Sequence, residues 1–520
     1  MECTNGSGRA PSGLDLDSIR RAHPAVGEND GINKSSFLKS AHAVTVPGAA
    51  RAWEAFLSKH GSGHWTMLEL LEPAIRLAED GFPVAPITAH HWCKGMEDIV
   101  RWYDDDNNNN NDDDNDDDND CSHDDNDGVK VGEDNDTSLT NDDDIKRKRR
   151  KRQKNIPLSP DGTGRGPLPG ELMFNSDLAN VLKSLGKHGA MDGFYRSWVG
   201  VSIANSIANA GGVMTYDDIS NQSYSECTFP NPISVSYRGL KLWQAPPNGQ
   251  GIAGLIALEG LKVLEARGGR YGDDDNNTFD NNNDGTDNIN NNDNKPYGKA
   301  RKDGKGWESA NTLHSMIEMM RLGFADARSY VCDPDHPNAN KSGKEHLSDY
   351  LLNPKRIADR VDAIFRQDQS ISNETIEKYG MIPSDAPSGT VSFQVVDADG
   401  NAVSFVQSNF MGFGTGIVPE GCGFTMQNRG AGFSLDSKDH PNRPTPGKRP
   451  FHTILPGMLT HDDDEGGLYA SISNMGGFMQ PQVRYSIITL SIIIQHIFCL
   501  IFNAVFLNHL SFFLSSPSLP

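Results

Sequence analysis

Two runs of alternating apolar and polar residues, Thr390 to Val396 and Ala402 to Gln407, flank the segment Asp397-Ala-Asp-Gly-Asn. A repeat of two suits a strand with one covered face, and the Asp-Gly step between the runs supplies the reversal. The pattern predicts a β-hairpin. Thr390 is its first residue, and the Pro/Ser/Gly-rich stretch Pro383 to Gly389 leads into it.

Other segments follow helical spacing. Pro47 precedes the helix-forming run from Ala50 to Leu57, and Leu68 to Glu79 is amphipathic and ended by Gly81. Further helices are expected over Leu178–Leu185, Val201–Ala210, Ile252–Ala266 and Ala310–Tyr330. Short strands are expected at Ile233–Tyr237 and Leu240–Gln244. Helices first and strands later, with helices covering a two-layer sheet, predict an α+β chain in four layers.

Two Asp/Asn tracts, Asp104 to Asp144 and Asp273 to Asp293, interrupt this pattern and carry most of the net charge of −22. They contain too few apolar residues to offset the entropy of ordering and are expected to be disordered surface insertions. Outside them the charge is mixed, so the total says little about a substrate. The basic run Lys146 to Lys154 borders the first tract and is taken as a self-neutralising linker; no nucleic-acid partner is expected.

The seven cysteines are scattered, odd in number and without ligand spacing, so neither a disulfide framework nor a zinc site is expected. No basic region followed by an apolar run opens the chain, and reducing, cytoplasmic surroundings fit. Tyr485 to Leu514 lacks Asp, Glu, Lys and Arg, and its length permits a membrane span. Gln495, His496, Asn503, Asn508 and His509 interrupt it.

The chemistry concentrates at Gly389-Thr390. A threonine hydroxyl becomes a useful nucleophile when its own α-amine, titrating near pH ~8, accepts the proton. The chain must then be cut just before the threonine. A glycine there allows strained backbone geometry and leaves its carbonyl open to attack. Downstream, Asn474-Met475-Gly476-Gly477 follows an expected strand, and paired glycines can offer two backbone N–H groups to an oxyanion.

Three other patterns imitate sites. Gly249-Gln-Gly-Ile-Ala-Gly254 fits the dinucleotide fingerprint, but no second strand ending in an acid follows it. Asp280 to Gly285 imitates a calcium loop with Asn291 at its last ligand position. His90-His91 on a helix point apart and make a poor metal pair.

Thr390 onward, with DADGNAVSFVQSNFMGFGTGIVPEGCGFTMQNRGAGFSLD, PGKRPFHTILPGML and SNMGGFMQPQ, resembles the small subunit of the gamma-glutamyltranspeptidase family. VTVPGAARAWEAF, LEPAIRLAEDGFPV, GGVMTYDDIS and QAPPNGQGI resemble its large subunit. The resemblance implies the four-layer αββα sandwich of N-terminal-nucleophile hydrolases and self-cleavage ahead of Thr390. It also implies a small-molecule amide substrate, large and small subunits that stay associated after cleavage, and no cofactor or metal. It assigns Thr390 as nucleophile, Ser408 as its supporting hydroxyl, Gly476 and Gly477 as oxyanion donors, and Arg429, His452 and Thr453 to the substrate side.

Three positions depart from the family pattern. Val391 replaces a threonine, Gly432 stands where an acid holds a glutamyl ammonium, and Arg9 is a loose candidate for the arginine that grips the donor carboxylate. Hydrolysis of an amide whose acyl part carries a carboxylate is therefore expected, with a catalytically inactive binding or membrane-associated protein as the alternative. The expected division is a large-subunit region over 1–103, 157–271 and 306–389, insertions at 104–156 and 272–305, a small subunit over 390–482 and an atypical tail over 483–520. Both ends are expected to be incomplete relative to the family.

Overall fold

The structure is a computed structural model that describes residues 1–25, 31–103, 156–267, 310–337, 346–366, 368–372, 388–482 and 485. Both Asp/Asn tracts, the run Lys146–Lys154, the calcium-loop imitation and the tail beyond Tyr485 lie outside them. Among the described residues no helix is long and apolar enough to cross a membrane.

Strands β1 (Phe82–Pro83) and β2 (Leu172–Met173) form a short antiparallel pair, and the main sheet grows from a tight hairpin. Strands β3 (Ile233–Tyr237) and β4 (Leu240–Gln244) are joined at Arg238-Gly239, both with positive φ, 51° and 81°. That pair of conformations matches the right-handed twist of the flanking strands. Strands β7 (Gly457–His461) and β8 (Leu468–Ile472) extend the sheet in the order β3-β4-β7-β8, each neighbour antiparallel. An all-antiparallel sheet removes the dinucleotide alternative, because a phosphate-cradling glycine loop of that type follows a parallel strand.

Helix Ile252–Ala266 lies against this sheet and is buried at every position from Ile252 to Leu261. Its sequence is apolar on all sides because it has neighbours on all sides. Helix Ala310–Tyr330 crosses it so closely that a Cβ on Gly323 would lie 2.2 Å from the Ala253 carbonyl oxygen. Met319, Met320, Leu322, Ile357 and Val361 complete a core shared by three helices and the sheet.

A second sheet holds β5 (Ser388–Val396) and β6 (Ala402–Met411). Its polar face turns towards the main sheet: the Ser404 hydroxyl donates to the Ile472 carbonyl at 3.3 Å and accepts from the Gly457 N–H at 3.1 Å. On its opposite face Phe393 and Phe405 stack with centroids 4.9 Å apart. Helix Ala49–His60 covers part of that face, with Phe56 edge-on to Phe405 and the Trp53 indole N–H donating to Gln407 at 3.1 Å. Helix, sheet, sheet and helix thus follow one another, as the four-layer reading expected.

A helical block flanks these layers. Thr66 and Glu69 cap helix Met67–Asp80 reciprocally, and Gly81 ends it with φ 87°. Its buried Ile75 and Ala78 meet Ala179 and Leu182 of helix Ser176–Ala190. Cys93 is disulfide-bonded, a departure from the reduced chain that the scattered cysteines suggested.

Candidate active site

Strands β5 and β6 set the site. Thr390 lies opposite Ser408 across the β5–β6 ladder, and its buried hydroxyl donates to Ser408 Oγ at 3.0 Å. Ser408 Oγ also accepts the Phe410 N–H at 2.9 Å. The ladder slips here: Ser388 pairs with Met411 while Thr390 pairs with Ser408, so β6 carries one residue more than β5. Phe410 absorbs the slip with φ 76°, an uncommon conformation for a bulky residue.

The Gly389–Thr390 peptide bond therefore sits at a bulge. Glycine at 389 was expected for strained geometry, but Gly389 is not among the positive-φ glycines. Close approach is the reason instead. A Cβ there would lie 2.4 Å from the Gly412 carbonyl oxygen, so any side chain would push the two strands apart.

The loop after β8 reaches the same place. Gly476 and Gly477 have φ 131° and 52°, conformations that glycine adopts without the strain a side chain brings. The Gln250 side-chain amide fixes the loop by donating to the Gly477 carbonyl at 2.9 Å and to the Thr453 carbonyl at 2.7 Å. Phe478 packs edge-on against Phe410 at 5.7 Å and stacks near Phe451 at 6.2 Å. One aromatic contact thus ties the paired glycines to the bulge beside Thr390.

Arg429 is buried at the start of a short 3-10 turn, Arg429–Gly432. It donates to Thr453 Oγ1 at 2.8 Å, and its guanidinium carbon lies 4.7 Å from the centre of the Phe410 ring. Burial pushes its pKa down to about 9, so it remains a cation at neutral pH. His452 Nδ1 accepts the Ile454 N–H at 3.4 Å, which leaves the ring proton on Nε2. Burial, helped by the Arg429 and Arg449 cations, holds the His452 pKa well below the usual histidine value and keeps the ring neutral.

Gly389, Ser408, Arg429 and His452 line one cavity of about 1350 Å³, together with apolar side chains such as Trp53 and Phe405. Thr390 lies buried between Gly389 and Val391 at its wall. Three expected substrate residues are absent from the lining: Thr453, which meets Arg429, and Arg9 and Gly432; Gly476 and Gly477 are not among the lining residues either. Arg9 is not in the lining; it donates to Asp333 at 2.9 Å and to the Gly447 carbonyl at 3.1 Å, and so serves a buried ion-pair cluster. Gly432 is also outside the lining, and a Cβ on it would meet the Phe451 carbonyl oxygen at 2.4 Å.

Sequence reasoning missed the amides that hold the site. Gln250 and Asn248 fall in the segment that imitates a dinucleotide loop. The Asn248 amide donates to the Pro450 carbonyl at 2.7 Å and accepts from Asn5 at 2.9 Å. Gln427 accepts the Arg429 N–H and donates to Thr45 Oγ1 at 2.7 Å. The signal available was polar residues inside otherwise apolar or glycine-rich segments; their partners lie hundreds of residues away.

Comparison with known proteins agrees with this arrangement. The family model described as gamma-glutamyltranspeptidase matches residues 1–110 and 125–497. The chain is 27% identical over 453 residues to the glutathione hydrolase-like YwrD proenzyme of Bacillus subtilis (strain 168), covering 86% of this chain and 63% of that protein. It is 28% identical over 329 residues to the oxamate amidohydrolase proenzyme of Klebsiella pneumoniae subsp. pneumoniae, covering 63% of this chain and 50% of the relative. Its length thus spans less than two thirds of these curated relatives. Among solved structures it is similar to a cephalosporin acylase from Bacillus halodurans, with TM-score 0.64 and 27% identity over 94% of this chain and 69% of that one. With the helix–sheet–sheet–helix order, a threonine at a bulge behind a close-packed glycine and a match over nearly the whole sequence, this chain belongs to the gamma-glutamyltranspeptidase family and has its N-terminal-nucleophile hydrolase fold.

Proposed function

We propose that this chain is a proenzyme that cuts itself between Gly389 and Thr390 and then hydrolyses amides of the glutathione or related carboxyacyl type. The observation that carries the reading is the 3.0 Å hydrogen bond between Thr390 Oγ1 and Ser408 Oγ at the bulge behind Gly389. In the cutting step Thr390 Oγ attacks the Gly389 carbonyl carbon, the C–N bond breaks and an ester forms. Water then hydrolyses the ester, leaving the Gly389 carboxylate and a free Thr390 amine.

That amine then serves as the base in the cleaved protein. It takes the hydroxyl proton as Oγ attacks the substrate amide and returns it to the departing amine. Water, or an acceptor amine, next removes the acyl group from Thr390. Ser408 orients the hydroxyl, and the Gly476 and Gly477 N–H groups are the proposed donors to the oxyanion; one such donor is typically worth about a hundredfold or more in rate. Arg429, His452 and Thr453 are the proposed substrate-side groups. The names of the relatives fit: two are proenzymes, and one acts on oxamate, an amide that bears a carboxylate.

The decisive measurement is the mass and amino-terminal sequence of purified protein. A fragment beginning at Thr390 is expected, and Thr390→Ala should abolish both that fragment and amide turnover. Uncut protein that still turns over amides would sink the reading.

A further inference from the structure

Arg429 stands apart from Arg449, the other arginine buried to this degree among the described residues, which meets Asp333 and Asp335; buried Lys448 donates to the Pro441 carbonyl. Arg429 is only 3% exposed, forms no ion pair among the described residues, and its Nη2 is buried with no hydrogen-bond partner. A buried cation without an anion is costly, and the ring of Phe410 beneath it offsets only part of that cost. The side chain lines the cavity that Gly389 and Ser408 also line.

The surroundings also define what the ligand lacks. Among the described residues, the acids of the cavity lining are Glu2 and Asp397, both exposed. Glu2 pairs with Lys59 at 3.1 Å, and Asp397 accepts from Asn401 at 2.9 Å. At Gly432 the backbone contact with Phe451 leaves no room even for a Cβ. An ammonium group near Arg429 would meet a like charge, and the carboxylates among the described lining residues, Glu2 and Asp397, already have partners.

Building on the amidohydrolase reading, we infer that Arg429 anchors a carboxylate of the acyl donor, and that the donor is a monoamide of a dicarboxylic acid without an α-ammonium group. The Arg429 guanidinium receives the carboxylate from the cavity it lines, the Thr453 hydroxyl holds its Nη1 arm, and His452 in the same lining adds a donor without adding charge.

Binding to the full-length chain tests this without turnover. Oxalate, succinate, glutarate and L-glutamate are titrated by calorimetry, and cleavage at Gly389–Thr390 is read on the same preparation. At least one plain dicarboxylate is expected to bind about tenfold or more tighter than L-glutamate, and Arg429→Gln to weaken that binding by about 10- to 100-fold. Arg429→Lys keeps the charge but loses the fork, so it should bind more weakly than the unsubstituted protein while still preferring the plain dicarboxylate. That variant decides the matter should the glutamine variant fail to fold. Equal binding of L-glutamate, no binding by any of the four, or unchanged affinity in Arg429→Gln would overturn the anchor. Absence of cleavage counts against the amidohydrolase reading alone.

Discussion

The two sheets are built on opposite principles. In the main sheet the β3–β4 hairpin presents buried Val235, Tyr237, Leu240 and Leu242 to helices that are themselves buried. The β5–β6 sheet meets its neighbour through hydroxyls, Ser392 with Ser473 and Ser404 with the backbone of β7 and β8, and within it the Thr390 hydroxyl bonds Ser408. Its apolar residues Val391, Phe393 and Val395 point the other way and stay 45–56% exposed. Apolar burial is non-directional and scales with area, whereas hydrogen bonds fix position at small net gain. One sheet supplies stability, and the other places a hydroxyl beside a peptide bond.

That division can be broken most strongly from the stable side. Ile256 is fully buried in helix Ile252–Ala266, so Ile256→Ala should destabilise the protein by about 2–5 kcal/mol. Denaturant melts would show it, while cleavage at Thr390 below the melting range should remain. If this substitution stopped cleavage in well-folded protein, the two sheets would not be separable as described.

A smaller effect is expected on the catalytic side. Ser408→Ala removes the acceptor of both the Thr390 hydroxyl and the Phe410 N–H. Leaving those groups unpaired costs about 1–3 kcal/mol. Because the Thr390 hydroxyl also loses its orienting partner, cleavage should slow by about 5- to 150-fold, followed by the time course of fragment appearance, and the melting temperature should fall by less than in Ile256→Ala. A change in stability as large as that of Ile256→Ala would contradict the comparison.

The pH dependence should be smallest. The folded-state pKa of His452 is depressed below 6.5 by burial and by two nearby cations. Below about 6.5 the unfolded chain binds a proton that the folded chain refuses, so stability falls as pH drops through that window and is flat above it. His452→Gln should flatten this part of the profile, measured as melting temperature between pH 5 and 7.5.

Much of this was legible in the residues. Both main-sheet strands and helices Ile252–Ala266 and Ala310–Tyr330 lie where alternation and helical spacing placed them. The Thr390–Ser408 contact follows from the hairpin, because an Asp-Gly turn and two alternating runs bring those positions opposite each other. Arg9 shows the limit. A basic residue near the start suited the donor carboxylate, but Asp333 claims it from 324 positions away. No local pattern announces such a partner.

The sequence by itself determined the periodic elements, the turn between β5 and β6, and the Gly389-Thr390 step at the start of that hairpin, because these depend on neighbours within a few residues. Only the tertiary structure decided which polar groups go unpaired. It gave Arg9 an acid and, among the described residues, left Arg429 without one, and it closed the space at Gly432 with a carbonyl from the strand-flanking loop. Pairing and steric exclusion are properties of atoms brought together by the whole chain, and charge costs nothing until burial removes the water around it.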